Sequence, residues 1–249
     1  FISDPTAAFA AMMAGDLDAF PGYPAPETLP QFAADPRFTV IGGNTEGETI
    51  LSTNNKAEHF SNLKVRKALA HAINRQEIID GAMFGYGKPI GTHFAPHHPD
   101  YVDLTANSNY DPELSKKLLA EAGYPNGFDT TLKLPPPSYA RRGGEIIAAQ
   151  LRAVGINAEI SNLEWADWLK QVFKGKDYGL TIVSHTEPMD IGIYARPAYY
   201  FQYDNPDFFF NILLNLTLTA TNFFCLSVGS IKASLITLTT PTISFPIFE

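Results

Sequence analysis

Three histidines, His93, His97 and His98, crowd the segment THFAPHHPD, with Asp100 closing it and Asp103 just beyond. Imidazole is a common ligand for zinc, copper and nickel. With Asp100 or Asp103, such a loop would suit a metal-dependent hydrolase, in which a bound ion activates water. The spacing argues against it. Pro96 and Pro99 keep the run out of a helix, no HExxH occurs, and a surface loop is the plainer reading. His71 sits in an Ala-rich helical pattern and reads as a half-buried helix residue. Arg141-Arg142-Gly143-Gly144 offers guanidinium forks for a carboxylate or phosphate, and glycines that let backbone come close. A solvated helix start explains the same residues. Trp165 and Trp168, three apart, share a helix face and could wall a ligand site or fill the core. Tyr194, Tyr199, Tyr200 and Tyr203 gather around Phe201, each a flat apolar face with a hydroxyl. Gly85 and Gly87 form a GxG after a helix rather than a strand, so the dinucleotide context is missing. Nothing here implies a cofactor.

The elements that must position these residues carry clear punctuation. Asp4-Pro5 and Asp111-Pro112 pair an N-cap with Pro at the first helical position. Gly15 and Gly123 suit the corresponding stops. Ser61 is the expected cap of a helix with Leu63, Val65, Leu69 and Ile73 on its apolar face. Asn74 with Glu77 suggests a capping box for the next helix. Further helices are expected over 27–34, 145–154 and 165–173. Strands are expected over 17–20, 38–41, 49–52, 132–134, 156–160 and 180–184. Residues 87–110, rich in Gly, Pro and His, read as a long surface loop. Helices alternating with strands indicate the α/β class, a mixed sheet flanked by helices.

The 249 residues can bury a sizeable core, and the net charge of −8 disfavours nucleic acid and anionic membranes. A lone Cys225 excludes an internal disulfide and any CxxC site. No leader pattern opens the chain, which reads as an internal piece. Composition changes sharply near Phe210: from Asn211 to Glu249 the only charges are Lys232 and Glu249. That tail, 209–249, has no caps and no clean period, and reads as a shifted frame or a junction. Its uncharged run Phe208 to Ile231 is long enough to span a membrane, although Asn211, Asn215 and Asn222 lower its insertion tendency.

Several segments occur in an order that resembles one family. They are AAFAAMMAGDLDAF, VRKALAHAINRQEIID, GYGKPIGTHFAPHHPDY, YDPELSKKLLAEAGYPNGF and AAQLRAVGINAEISNLEWADWLKQVFKGKDYGLTIVSH. Together they resemble the solute-binding proteins of peptide, dipeptide and nickel ABC importers, over roughly Phe1 to Phe208. The resemblance implies a partial two-lobe periplasmic-binding-protein fold. Residues 1–57 would be a remnant of the first lobe with the hinge, and 58–208 the second ligand-binding lobe. The lobes would close around ligand as a hinged trap.

The resemblance further implies a receptor, not an enzyme. It would be a monomer in the periplasm or outside the cell, associated with the membrane, that captures a small peptide or similar solute. An ABC permease and its ATPase would be its partners. The loop His185-Thr186-Glu187-Pro188-Met189-Asp190 would face the cleft, with Glu187 or Asp190 pairing the ligand's ammonium group. His185, Trp165, Tyr194 and Arg141 complete the expected ligand-binding set; metal and catalytic residues are expected to be none.

Overall fold

The computed structural model describes residues 2, 4–45, 47–186, 190–196 and 198–204. The expected change of character in the tail lies outside them. Seven α-helices are described: α1 (Pro5–Ala14), α2 (Leu29–Ala33), α3 (Leu63–Ala72), α4 (Arg75–Met83), α5 (Pro112–Glu121), α6 (Ser138–Ala153) and α7 (Trp165–Trp168). Four strands accompany them: β1 (Glu48–Thr53), β2 (Phe128–Leu134), β3 (Ile156–Asn162) and β4 (Leu180–His185). The strands form one mixed sheet in the order β1-β4-β2-β3. β1 runs antiparallel to β4, from Glu48 opposite His185 to Thr53 opposite Leu180. β2 runs parallel to β3 along its whole length, but meets β4 only at Leu132 with Leu180 and Lys133 with Thr181. β4 therefore runs on past the end of β2, which stops at Leu134.

The caps act as their chemistry requires. Asp4 accepts from the Ala7 N–H at 2.7 Å, and Gly15 takes the left-handed conformation after α1. Asp111 accepts from the Leu114 N–H at 2.9 Å. The cap of α3 is Asn62, not Ser61: the Asn62 side chain accepts from the Lys64 N–H, while the Ser61 hydroxyl donates to the Glu58 carbonyl. Asn74 caps α4, but the capping box is completed from elsewhere. Gln150 of α6 accepts from the Asn74 N–H at 3.1 Å and donates to Glu77 at 2.6 Å. A local motif thus becomes the joint between two helices.

Strand alternation separates two cores. Leu180 and Ile182 face a cluster with Leu132, Leu134, Leu151 and Ile156, covered by α3 and α6. Val183 on the opposite face joins Trp168, Val172, Tyr178, Ile193, Tyr200 and Phe201. α6 sits close on the sheet, because a Cβ at Gly144 would run into the Leu134 side chain. α6 starts at Ser138 rather than Glu145 and takes in both glycines. Two glycines lower helix propensity, yet close packing requires one of them there.

Other expectations need correction. Residues 17–20 and 38–41 are not strands. They have no ladder partner to satisfy their backbone. Phe38 packs on Phe32 at 4.9 Å, and Phe20 packs on Tyr23, which in turn lies 5.5 Å from the Phe32 ring. The helix expected over 27–34 is a 3₁₀ turn, Pro26–Thr28, followed by α2. The last helix runs as α over Trp165–Trp168 and continues as π turns over Leu169–Lys174. The 87–110 loop is irregular, but Gly91, Thr92, His93 and Ala95 are buried.

A candidate solute-binding groove

Where β4 runs on past the end of β2, a groove of about 2640 Å³ opens between the N-terminal segment and the α/β body. Its walls come from the aromatic N-terminal segment, β1, the Gly85–Pro96 stretch, the start of α6 and the Glu164-Trp165 corner. Tyr139, in the first turn of α6, meets this overhang: its hydroxyl accepts from the Ser184 N–H at 3.2 Å. Burial pushes the Tyr139 phenol up, so it stays a neutral hydroxyl. Sequence reasoning did not single out Tyr139; the only signal was its place just after the Pro135–Pro137 strand stop.

The residues expected at a site fall into distinct places. Trp165 lies on the groove wall, 42% exposed, with its ring edge-on to Trp168 at 5.7 Å. Trp168 is buried, and its indole N–H donates to Thr181 at 2.9 Å. Arg141 lines the groove and donates through Nη2 to Glu164 at 3.1 Å. Tyr194 also lines it, with its hydroxyl hydrogen-bonded to His93 Nδ1 at 3.2 Å. His185 is buried beneath the wall, where Nε2 meets the Tyr200 hydroxyl at 3.0 Å. That hydroxyl also bonds Ser52 Oγ at 2.8 Å, and burial raises the Tyr200 pKa well above its ordinary value. Glu187 and the Asp190 side chain lie outside the described residues.

The three histidines do not act together. His93 is wholly buried beside Tyr194 and His185, contrary to the surface-loop reading. His97 is exposed. His98 stacks on Phe94 at 4.5 Å and accepts from the Asp100 N–H. Asp103 accepts two bonds from Thr105, which hold its carboxyl below the usual range. Among the described residues, no group of three or more His, Cys, Asp or Glu could hold a metal ion. The hydrolase alternative therefore gains no support.

A second ion pair escaped the sequence reading because its partners are far apart in the chain. Glu27, in the N-terminal segment, accepts from Arg142 Nη2 at 2.9 Å across the edge of the groove. The Arg142 guanidinium also lies 5.2 Å from the Phe84 ring centroid. That hydrogen bond holds the Glu27 carboxyl below its ordinary value.

A mixed sheet with an open, aromatic-lined groove beside its overhanging strand defines a binding scaffold. The chain belongs to the bacterial extracellular solute-binding proteins, family 5, whose middle-region model matches residues 1–206. Heme-binding protein A of Haemophilus influenzae is 32% identical over 182 residues, covering 70% of this chain and 33% of that protein. The dipeptide-binding protein of Escherichia coli K12 is 30% identical over 178 residues, with the same coverage, 70% and 33%. The chain thus spans about a third of the length of these curated relatives. Among solved structures, the periplasmic binding protein AgaA from A. tumefaciens R10, in complex with agropinic acid, matches with a TM-score of 0.65 and 32% identity. That match covers 74% of this chain and 38% of AgaA. A dipeptide-binding protein from Pseudoalteromonas sp. SM9913, in complex with Met-Leu, matches with a TM-score of 0.66 and 25% identity, over 75% and 37% of the two chains. These are solute-binding proteins and not enzymes. Among the described residues, no helix is long and apolar enough to cross a membrane.

Proposed function

We propose that this chain is the solute-capturing part of an importer's receptor. It takes up a small peptide or related solute outside the cytoplasmic membrane and delivers it to an ABC permease driven by its ATPase. The observation that carries this reading is the groove beside the overhanging end of β4 in a chain of the solute-binding family. Its long aromatic walls suit a ligand held by shape and apolar contact, with a few polar groups fixing its ends.

Residues 1–57 serve as part of one lobe with the hinge, and 58–208 as the second lobe. The N-terminal aromatic cluster supports this division, since it packs on itself across the groove from the α/β body. Trp165, Tyr194 and Arg141 act from the groove wall, and His185 acts from beneath it by holding Tyr200. Glu187 or Asp190 pairs the ligand's ammonium group. The receptor works as a monomer.

Native mass spectrometry of the chain purified from bacterial cells tests the reading. A co-purified mass that fragments as a short peptide is the expected result. A bare metal mass would instead return attention to the histidine segment.

A further inference from the structure

We propose that Arg141 receives a carboxylate on the solute, and that Glu164 holds its place until the solute arrives. The inference rests on the solute-binding reading above. Arg141 and Arg142 are neighbours on α6, both line the groove, and each donates through Nη2 to one carboxylate oxygen. Their surroundings differ. Arg142 is committed: it lies over Phe84, and the Glu27 side chain it holds is only 30% exposed. Arg141 is bound lightly. The Glu164 side chain is 76% exposed and meets it through one oxygen. Such an exposed one-point pair contributes little.

The second sign is an orphan donor. Arg141 Nε is buried and has no acceptor, an unfavourable state for a charged N–H; Arg142 Nη1 is also without one, but it belongs to the guanidinium already committed to Glu27. A carboxylate taking the Nε and Nη2 edge of Arg141 together would satisfy its orphan donor and replace a single bond with a fork. Glu164 is readily displaced because its carboxylate returns to water. Trp165, the next residue, places an exposed ring on the same wall. The ligand class that fits is a carboxylate carrying an apolar or aromatic body. The C-terminus of a short peptide and a free organic acid share that chemistry.

Calorimetric titration of the full chain with Leu-Phe, Leu-Phe amide and succinate tests the proposal. Leu-Phe should bind about tenfold or more tightly than its amide, the effect of a hydrogen-bonded charge. Arg141→Gln should bring the acid down to the amide's affinity. Glu164→Gln, an exposed and isosteric change, should tighten the acid about 2- to 5-fold by removing the competitor. Saturable succinate binding lost in Arg141→Gln would support the proposal with a free acid as the source. Discrimination confined to the peptide would support it with the C-terminus as the source. Equal binding of acid and amide by the unaltered chain would overturn the proposal and leave the solute-binding reading intact. No binding of any probe by a chain with native circular dichroism would overturn both.

Discussion

The Tyr200 hydroxyl joins Ser52 of β1 to His185 of β4, at 2.8 and 3.0 Å, inside a core that excludes water. Removing it would leave Ser52 and His185 each without that bond. Tyr200→Phe should therefore destabilise the chain by about 1–3 kcal/mol, the cost of buried polar groups losing a partner. Urea unfolding would register this as a lower midpoint at unchanged slope. An unaltered midpoint would mean that the surrounding groups find each other without Tyr200. His93 belongs to the same scale: it meets the groove residue Tyr194 while wholly buried. Its neighbours Pro96, His97 and His98 suggested exposure. Burial here depends on a contact 101 residues away, which no local pattern encodes.

Among the elements, α6 decides most of what the groove presents. It carries Tyr139, Arg141 and Arg142 at the groove and seats Gly144 against Leu134. Gly144→Ala would drive a methyl into Leu134 and should cost about 1–3 kcal/mol by overpacking. Gly42→Ala, with nothing within 4 Å, is the matched control and should be nearly neutral. Thermal denaturation of the two variants makes the comparison.

The Glu27–Arg142 pair ties the N-terminal segment to α6 and carries a pH dependence. The hydrogen bond from Arg142 lowers the Glu27 pKa below its ordinary 4.5. A depressed carboxyl contributes stability that is full above the unfolded value and lost as pH falls through the folded one. Partial exposure limits it to about 1 kcal/mol or less. Glu27→Gln should lower stability at neutral pH by that amount and flatten its decline below pH 4.5. Parallel pH profiles of the two chains would rule out the pair as the source.

At the scale of the whole molecule, a receptor that binds only when folded gains stability from its solute. Saturation to a hundred times the dissociation constant contributes about 2.7 kcal/mol. For a folded region of this size that should raise the melting temperature by roughly 5–10 °C. Scanning fluorimetry against a short-peptide set would show the shift, and its absence with every peptide would count against peptides as the solute class. The proposed closure of two lobes around the groove would couple that binding to the Glu27–Arg142 contact. The Glu27→Gln variant should then show a weaker ligand-induced shift than the unaltered chain.

Local chemistry wrote much of this protein into its sequence. Asp-Pro starts and Gly stops specified α1 and α5, because caps act within a few residues. The ordered family segments identified the class. The identity of the α3 cap, the closure of the Asn74 box by Gln150, and the helical state of the Arg141–Gly144 run were decided by tertiary contacts. So were the burial of His93, the bridging role of Tyr139 and the pairing of Arg142 with Glu27. Each depends on groups that are distant in sequence and meet only when the sheet assembles and the N-terminal segment lies across the groove. Sequence periodicity marks which face of an element is apolar; only packing determines which polar side chains then face one another.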